Sequence, residues 1–272
     1  MKKRFFKNPV WYCYLVLTLN LMFFMMWGIY MAGFVEGWYN MGSWFLNYDT
    51  LMSFFSVQVN IMTIVWLIFV VLCFDKEPRG LTSEGFKKTM MNWNLIVFII
   101  FWAGIIFELK DSNTKLLDEY TISQIVCTVM THFICTLALF FIFIFTTGHK
   151  KESYITWYKE KDIYFSLLYP FLYLFYVYIR GLIYLKDGEH IWPYPFMEFE
   201  KDSLWLGTSV GGYMTLVVVV FVIWIVTQHI LLIAVNNLVF YIRGKTKVWI
   251  AKYKKKSPKE ELVSQKSNSK TT

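Results

Sequence analysis

Charge is scarce in this 272-residue chain. Asp, Glu, Lys and Arg make up 17% of it, against a usual ~25%, and only four residues are arginine. That shortage excludes a highly charged disordered chain and an ordinary charged soluble domain. Six prolines and fourteen glycines are too few for a collagen-like sequence. The four cysteines, Cys13, Cys73, Cys127 and Cys135, form no CxxC pair and no metal-ligand spacing. They read as free thiols in apolar segments and leave the redox compartment undetermined. There is no Gly-rich phosphate loop, no metal-ligand cluster and no G-x-S-x-G elbow. Internally paired acidic residues of the kind that proton-coupled pumps carry are also missing, so no metal or cofactor is expected.

What the chain has instead is apolar surface. Hydrophobic residues including tyrosine reach 57% and aromatics 21%. They are grouped in long blocks, which points to a membrane. A crossing needs ~20 mainly apolar residues. Six segments meet this: 10–33, 49–74, 92–108, 121–147, 161–185 and 206–241. The first is longer than a signal-peptide core and has no convincing small-residue cleavage site, so it is read as a retained span. The last exceeds one crossing and is expected to run on into headgroups or cytoplasm. The expected fold is all-α: a polytopic integral membrane protein with a bundle of six transmembrane helices. Residues 1–250 form the membrane domain, and residues 251–272 a polar, lysine-rich, disordered tail.

Lysine and arginine set the orientation. The N-terminus, the second and fourth connections and the C-terminal tail carry 22 of them, the other side four. This asymmetry predicts that both termini are cytoplasmic, in a multi-pass protein of the cell membrane. The same basic residues read as contacts to anionic lipid headgroups, and no nucleic-acid partner is expected. Tyrosines and tryptophans near the span ends, among them Trp38, Tyr39, Trp44, Tyr48, Trp192 and Tyr194, suit headgroup level.

Polar residues inside spans cost free energy unless paired, which makes their positions informative. Asp49, Ser53, Ser56, Asn60 and Thr63 are spaced to share one helical face. That stripe is either helix–helix glue or the lining of a site. His132 lies inside the fourth span. It reads either as a general base or as a histidine bonded to a neighbouring carbonyl. Counting rise from the span ends puts Ser56 and His132 within about one turn in depth, so a contact is allowed. Arg180, near the end of the fifth span, either snorkels to the interface or grips a carboxylate or phosphate, with Glu108 as a candidate partner. Gln228 and His229 read as packing residues. The aromatic loop Trp192–Pro193–Tyr194–Pro195–Phe196 reads as a lid or an anchor.

Several of these residues fall in a recurring order. Gly42-Ser43-Trp44 leads into Ser53-Phe54-Phe55-Ser56-Val57-Gln58-Val59-Asn60. His132 follows, then Tyr169-Pro170, Arg180-Gly181 and Tyr194-Pro195-Phe196-Met197-Glu198. In this order the chain resembles the androgen-induced membrane protein family, six-span proteins that include threonine hydrolases of fatty acid esters of hydroxy fatty acids, together with their bacterial relatives. The resemblance covers roughly residues 40–240. It implies a nucleophile at Ser56, where the family has threonine, and a base at His132. Leu137 stands where the family often has proline.

The resulting expectation is an intramembrane lipid-ester hydrolase. Ser56 would attack the ester carbonyl and His132 would carry the proton. Gln58 and Asn60 would orient the substrate or stabilise the oxyanion, and Arg180 would hold an acidic headgroup. Membrane lipids are the expected partners and a lipid ester the substrate. The alternative is a non-catalytic membrane protein that binds or transports a lipid or small solute, its pocket lined by the same stripe.

Overall fold

The structure is a computed structural model. It describes residues 4–110, 120–199 and 209–268, with side chains for residues 6–106, 120–194, 196–199 and 209–246. Every described element is a helix. α1 (Pro9–Tyr30) passes into a π turn, Met31–Val35. α2 (Trp44–Ser53) and α3 (Phe55–Leu72) are separated by one extended residue, Phe54. α4 is Glu84–Lys110. α5 (Ile122–Val129) and α6 (Cys135–Thr146) form one span through a second π turn, Met130–Ile134. α7 is Lys161–Lys186, and α8 is a single long helix, Val210–Asn268. Among the described residues six helices are long and apolar enough to cross a membrane, so the chain is an all-α, multi-pass membrane bundle.

The surface supports this. On α1, Tyr14, Leu17, Leu21, Met25 and Gly28 are buried, while Val16, Leu19, Phe23, Met26 and Tyr30 are exposed. Both stripes follow helical spacing and both are apolar. Water would penalise the outer stripe; lipid does not. The polar groups turn inward instead. Ser53, Asn60, Thr63, Thr89, Asn92, Asn94, Ser166 and His229 are all buried. Some of their bonds join helices, as where Asn94 donates to the Thr63 hydroxyl at 2.9 Å and Thr89 to the Asp162 carbonyl at 3.0 Å.

The spans alternate in direction, so opposite helix ends meet. At the lysine-rich end, Trp11 donates to the Val71 carbonyl, Lys87 to the Thr146 carbonyl and Arg243 to the Phe145 carbonyl. At the other end Glu36, just past α1, accepts hydrogen bonds from Trp38, Thr121 and Ser123. Burial acts to raise the Glu36 carboxyl, but the bonds from Ser123, Thr121 and Trp38 outweigh it and hold the group below the ordinary carboxylate range.

Three expected boundaries change. The second span begins at Phe55 rather than 49 because the helix breaks at Phe54. The third begins at Glu84 rather than 92. Lys87 and Lys88 were assigned to a connection, yet both are buried in a helix and paired with carboxylates. The residues expected to form a tail from 251 continue as helix to Asn268. Of the four free cysteines, only Cys127 and Cys135 are buried; Cys13 is exposed and Cys73 half-buried.

Candidate functional site at a broken helix

The break at Phe54 has no proline or glycine to cause it. Phe54 simply adopts ψ 133°, and side chains take over the freed backbone groups. Of the carbonyls that end α2, Thr50 accepts from the Ser53 hydroxyl at 2.6 Å, Met52 from the Gln58 amide at 2.8 Å and Ser53 from the Tyr173 phenol at 2.8 Å. On the α3 side, the Phe55 N–H faces the phenols of Tyr173 and Tyr194, and the Ser56 N–H and hydroxyl face that of Tyr194. Non-helical backbone at membrane depth persists only where protein or a cavity supplies such partners. Burial pushes the Tyr194 phenol up to about 12, with the Ser56 and Phe55 groups pulling the other way, so Tyr194 is neutral and can donate a hydrogen bond.

Aromatic rings fix the tyrosines. Phe55 stacks on Tyr169 with centroids 5.5 Å apart and meets Tyr173 edge-on at 5.0 Å. Phe54 meets Tyr194 edge-on at 5.5 Å, and Tyr194 stacks on Phe196 at 5.3 Å. Tyr169 donates to the free Gln58 oxygen at 2.7 Å. Next to Tyr169 on α7, Pro170 has no N–H to offer the Ser166 carbonyl, and the Trp93 indole takes its place at 3.1 Å.

An apolar groove opens beside the break, between α7 and α8. Phe55, Tyr173, Tyr194, Phe196, Val218 and Phe221 line it; it is narrow, with a free volume of about 30 Å³, and is partly open to the surroundings. At the same end Asp49 receives Arg180 Nε at 3.1 Å, Nη2 at 2.5 Å and the Tyr184 phenol at 2.6 Å. Arg180 Nη1 also donates to the Ile191 carbonyl at 3.0 Å.

The expected site residues fall in different places. Ser56 lies in the first turn of α3, nearly buried, beside Tyr194 and the groove-lining Phe55. His132 lies in the π turn of the fourth span. Its Nδ1 is 3.1 Å from the Thr128 carbonyl and 2.9 Å from the Thr131 hydroxyl, and its ring lies against Phe101. No hydrogen bond joins Ser56 to His132 among the described residues. Gln58 is occupied on both sides, between Met52 and Tyr169, and so orients the break. Asn60 is buried, and neither of its amide atoms finds a partner among the described residues. Arg180 is a buried ion-pair member; its partner is Asp49, whereas the side chain of Glu108 lies outside the described residues. The polar stripe is cut in two, with Asp49 and Ser53 on α2 and Ser56, Asn60 and Thr63 on α3.

Tyr169, Tyr173 and Tyr194 were not expected as site residues. Their signal was present in hindsight: three tyrosines on or beside the fifth span, each needing a partner for its hydroxyl once buried. Comparisons with protein-family models, with curated proteins and with solved structures give no match to this chain.

Proposed function

We propose that this multi-pass membrane protein binds a long-chain amphiphile in the groove between α7 and α8, with the amphiphile's polar group against the helix break. The observation that carries this is the juxtaposition of exchangeable donors with an apolar slot. The Phe55 and Ser56 N–H groups and the Tyr194 phenol sit at the edge of a groove otherwise walled by Phe196, Val218 and Phe221. Helix-terminal N–H groups suit an oxygen-bearing headgroup, and an open apolar slot suits an acyl chain. The lysine asymmetry supports cytoplasmic termini and the cell membrane, with the break on the opposite side. Lipid is the partner this reading calls for.

The test is photolabelling of the purified full chain in nanodiscs with a diazirine fatty-acyl probe. Labelling is expected on residues 213–225, competed by long-chain lipid and abolished by Val218→Trp. Equal labelling of Val218→Trp would reject the groove.

Hydrolysis is the second reading. Ser56 favours it, because its hydroxyl lies at a helix N-terminus beside a neutral phenol at the groove's edge, where an ester carbonyl would meet backbone donors. His132 could serve as its base only after leaving the Thr128 carbonyl and moving to Ser56. Fluorophosphonate labelling that is lost in both Ser56→Ala and His132→Ala would establish the pair. Absent labelling of folded wild type leaves binding alone.

A further inference from the structure

The lysine-rich end holds a second polar cluster, independent of the groove. Lys88, buried on α4, places its ammonium 2.8 Å from Glu152, 2.7 Å from Glu160 and 2.9 Å from Asp162. Three carboxylates around one ammonium leave two negative charges without a partner. Lys88 is the only lysine or arginine paired with these three carboxylates among the described residues. Asp162 is buried while Glu152 and Glu160 are partly exposed, so the cluster concentrates negative charge at the edge of the fold and favours a further cation there.

His229 completes the picture. It is fully buried on α8, and among the described residues neither ring nitrogen has a hydrogen-bond partner. Its Nε2 lies 3.9 Å from Asp162 Oδ2. That oxygen, although close to Lys88, accepts no directed hydrogen bond. One ligand atom each from Glu160, Asp162 and His229 lies within 4.8 Å of the other two. Two metal–ligand bonds of about 2.1 Å at a tetrahedral angle hold their ligand atoms about 3.4 Å apart, so binding draws these two atoms together by about 0.5 Å. Gly85 of α4 packs against Asp162, where a Cβ would make an ordinary contact at 3.4 Å. Access comes from an open cavity of about 930 Å³, lined by Lys88, Glu152, Glu160 and Asp162 among others.

We propose that Glu160, Asp162 and His229 form a binding site for a first-row divalent metal, with Lys88 as the tethered cation that the metal displaces. One imidazole with two carboxylates suits Mn²⁺ or Zn²⁺ better than Mg²⁺, which prefers oxygen and keeps its water. Charge closes in the bound form. The metal neutralises Glu160 and Asp162, and Lys88 withdraws to Glu152, with which it is already paired. The α7 and α8 spans then share one ion at a single end of the bundle.

The experiment is Mn²⁺ titration of the purified full chain, read by electron paramagnetic resonance, with Zn²⁺ displacement and melting temperature in parallel. One saturable site is expected, displaced by Zn²⁺ and accompanied by a rise in Tm. Glu160→Gln and His229→Gln lose it. Lys88→Met tightens it about tenfold, because a resident competitor is gone, and makes Tm depend on metal. Glu160 is partly exposed, so its variant remains informative if His229→Gln fails to fold. No saturable binding at millimolar metal would overturn the proposal. So would binding that Glu160→Gln leaves unchanged, or binding that Lys88→Met weakens.

Discussion

The Tyr173 phenol donates to the Ser53 carbonyl at 2.8 Å, across 120 residues of chain. This bond ties the fifth span to one of the carbonyls that a continuous α2–α3 helix would have used internally. The break therefore belongs to the tertiary structure, held by α7, and is not a local accident of sequence. Tyr173→Phe removes the donor from a buried carbonyl and is expected to cost about 1–3 kcal/mol, read as a lower melting temperature in detergent. It should also weaken labelling of the groove. An unchanged Tm together with unchanged labelling would show that the break holds without its tyrosine.

The Gln58–Tyr169 pair gives a sharper version of the same test. Tyr169→Phe strands the Gln58 oxygen, and Gln58→Leu strands the Tyr169 hydroxyl and the Met52 carbonyl. Each single change is expected to destabilise by about 1–3 kcal/mol. The double variant should cost less than the sum, with a coupling of about 0.5–3 kcal/mol. Simple additivity would mean that the two side chains act independently.

Asp49 and Arg180 form a mostly buried ion pair, with the Asp49 side chain 30% exposed. Breaking a fully buried pair costs about 3–5 kcal/mol. The partial exposure lowers the expectation for Asp49→Asn to about 2 kcal/mol. Arg180→Met costs more, since it also empties the donor to Ile191. Chemical denaturation of the two variants side by side checks the order, and Asp49→Asn as the costlier change would contradict it.

Glu36 supplies a pH dependence. Its folded-state carboxyl titrates below the ordinary glutamate value of 4.5, so the fold favours the ionised form. The stability it contributes is complete above that value and disappears as pH falls through the lower folded-state one. Tm measured on the acid side of pH 4.5 should fall less steeply in Glu36→Gln than in wild type. Parallel acid slopes would remove Glu36 from the account.

Gly181 is buried against Trp192; a Cβ there would lie 2.1 Å from the indole ring. Gly181→Ala must push the indole away, and with it the loop that carries Tyr194. Overpacking costs typically about 1–3 kcal/mol. The distinguishing readout is labelling of the groove, which should drop more than the stability loss alone accounts for in protein that remains folded.

The six spans were legible because hydropathy reports burial in lipid directly. Lys87 and Lys88 hid the start of α4, because a charged residue signals a loop until its partners are known; Lys87 pairs with Glu84 on the same helix, but Glu152, Glu160 and Asp162, the partners of Lys88, lie more than sixty residues away in sequence. Those pairs also supply the internal acidic partners that the sequence seemed to lack. The break at Phe54 was illegible for a similar reason: its cause is Tyr173 and Gln58, and neither a proline nor a glycine marks it. His132 stood out by rarity. The structure gives it the plainer of its two readings, a bond to the Thr128 carbonyl of its own helix. The hydroxyl stripe was real as spacing, but a one-residue interruption set its two halves on different helices.

The π turn at Met130–Ile134 closes its hydrogen bonds over one residue more than an α-turn does. Helix faces before and after it are therefore joined with a slip of one position. Deleting a single residue from an ordinary span rotates everything beyond it by about 100°. Deleting one inside this turn would instead let the helix close as uninterrupted α, with α6 still facing its neighbours. The fourth span thus carries a built-in allowance for a change in length, at the one place where chain can be lost without turning the rest of the helix out of register.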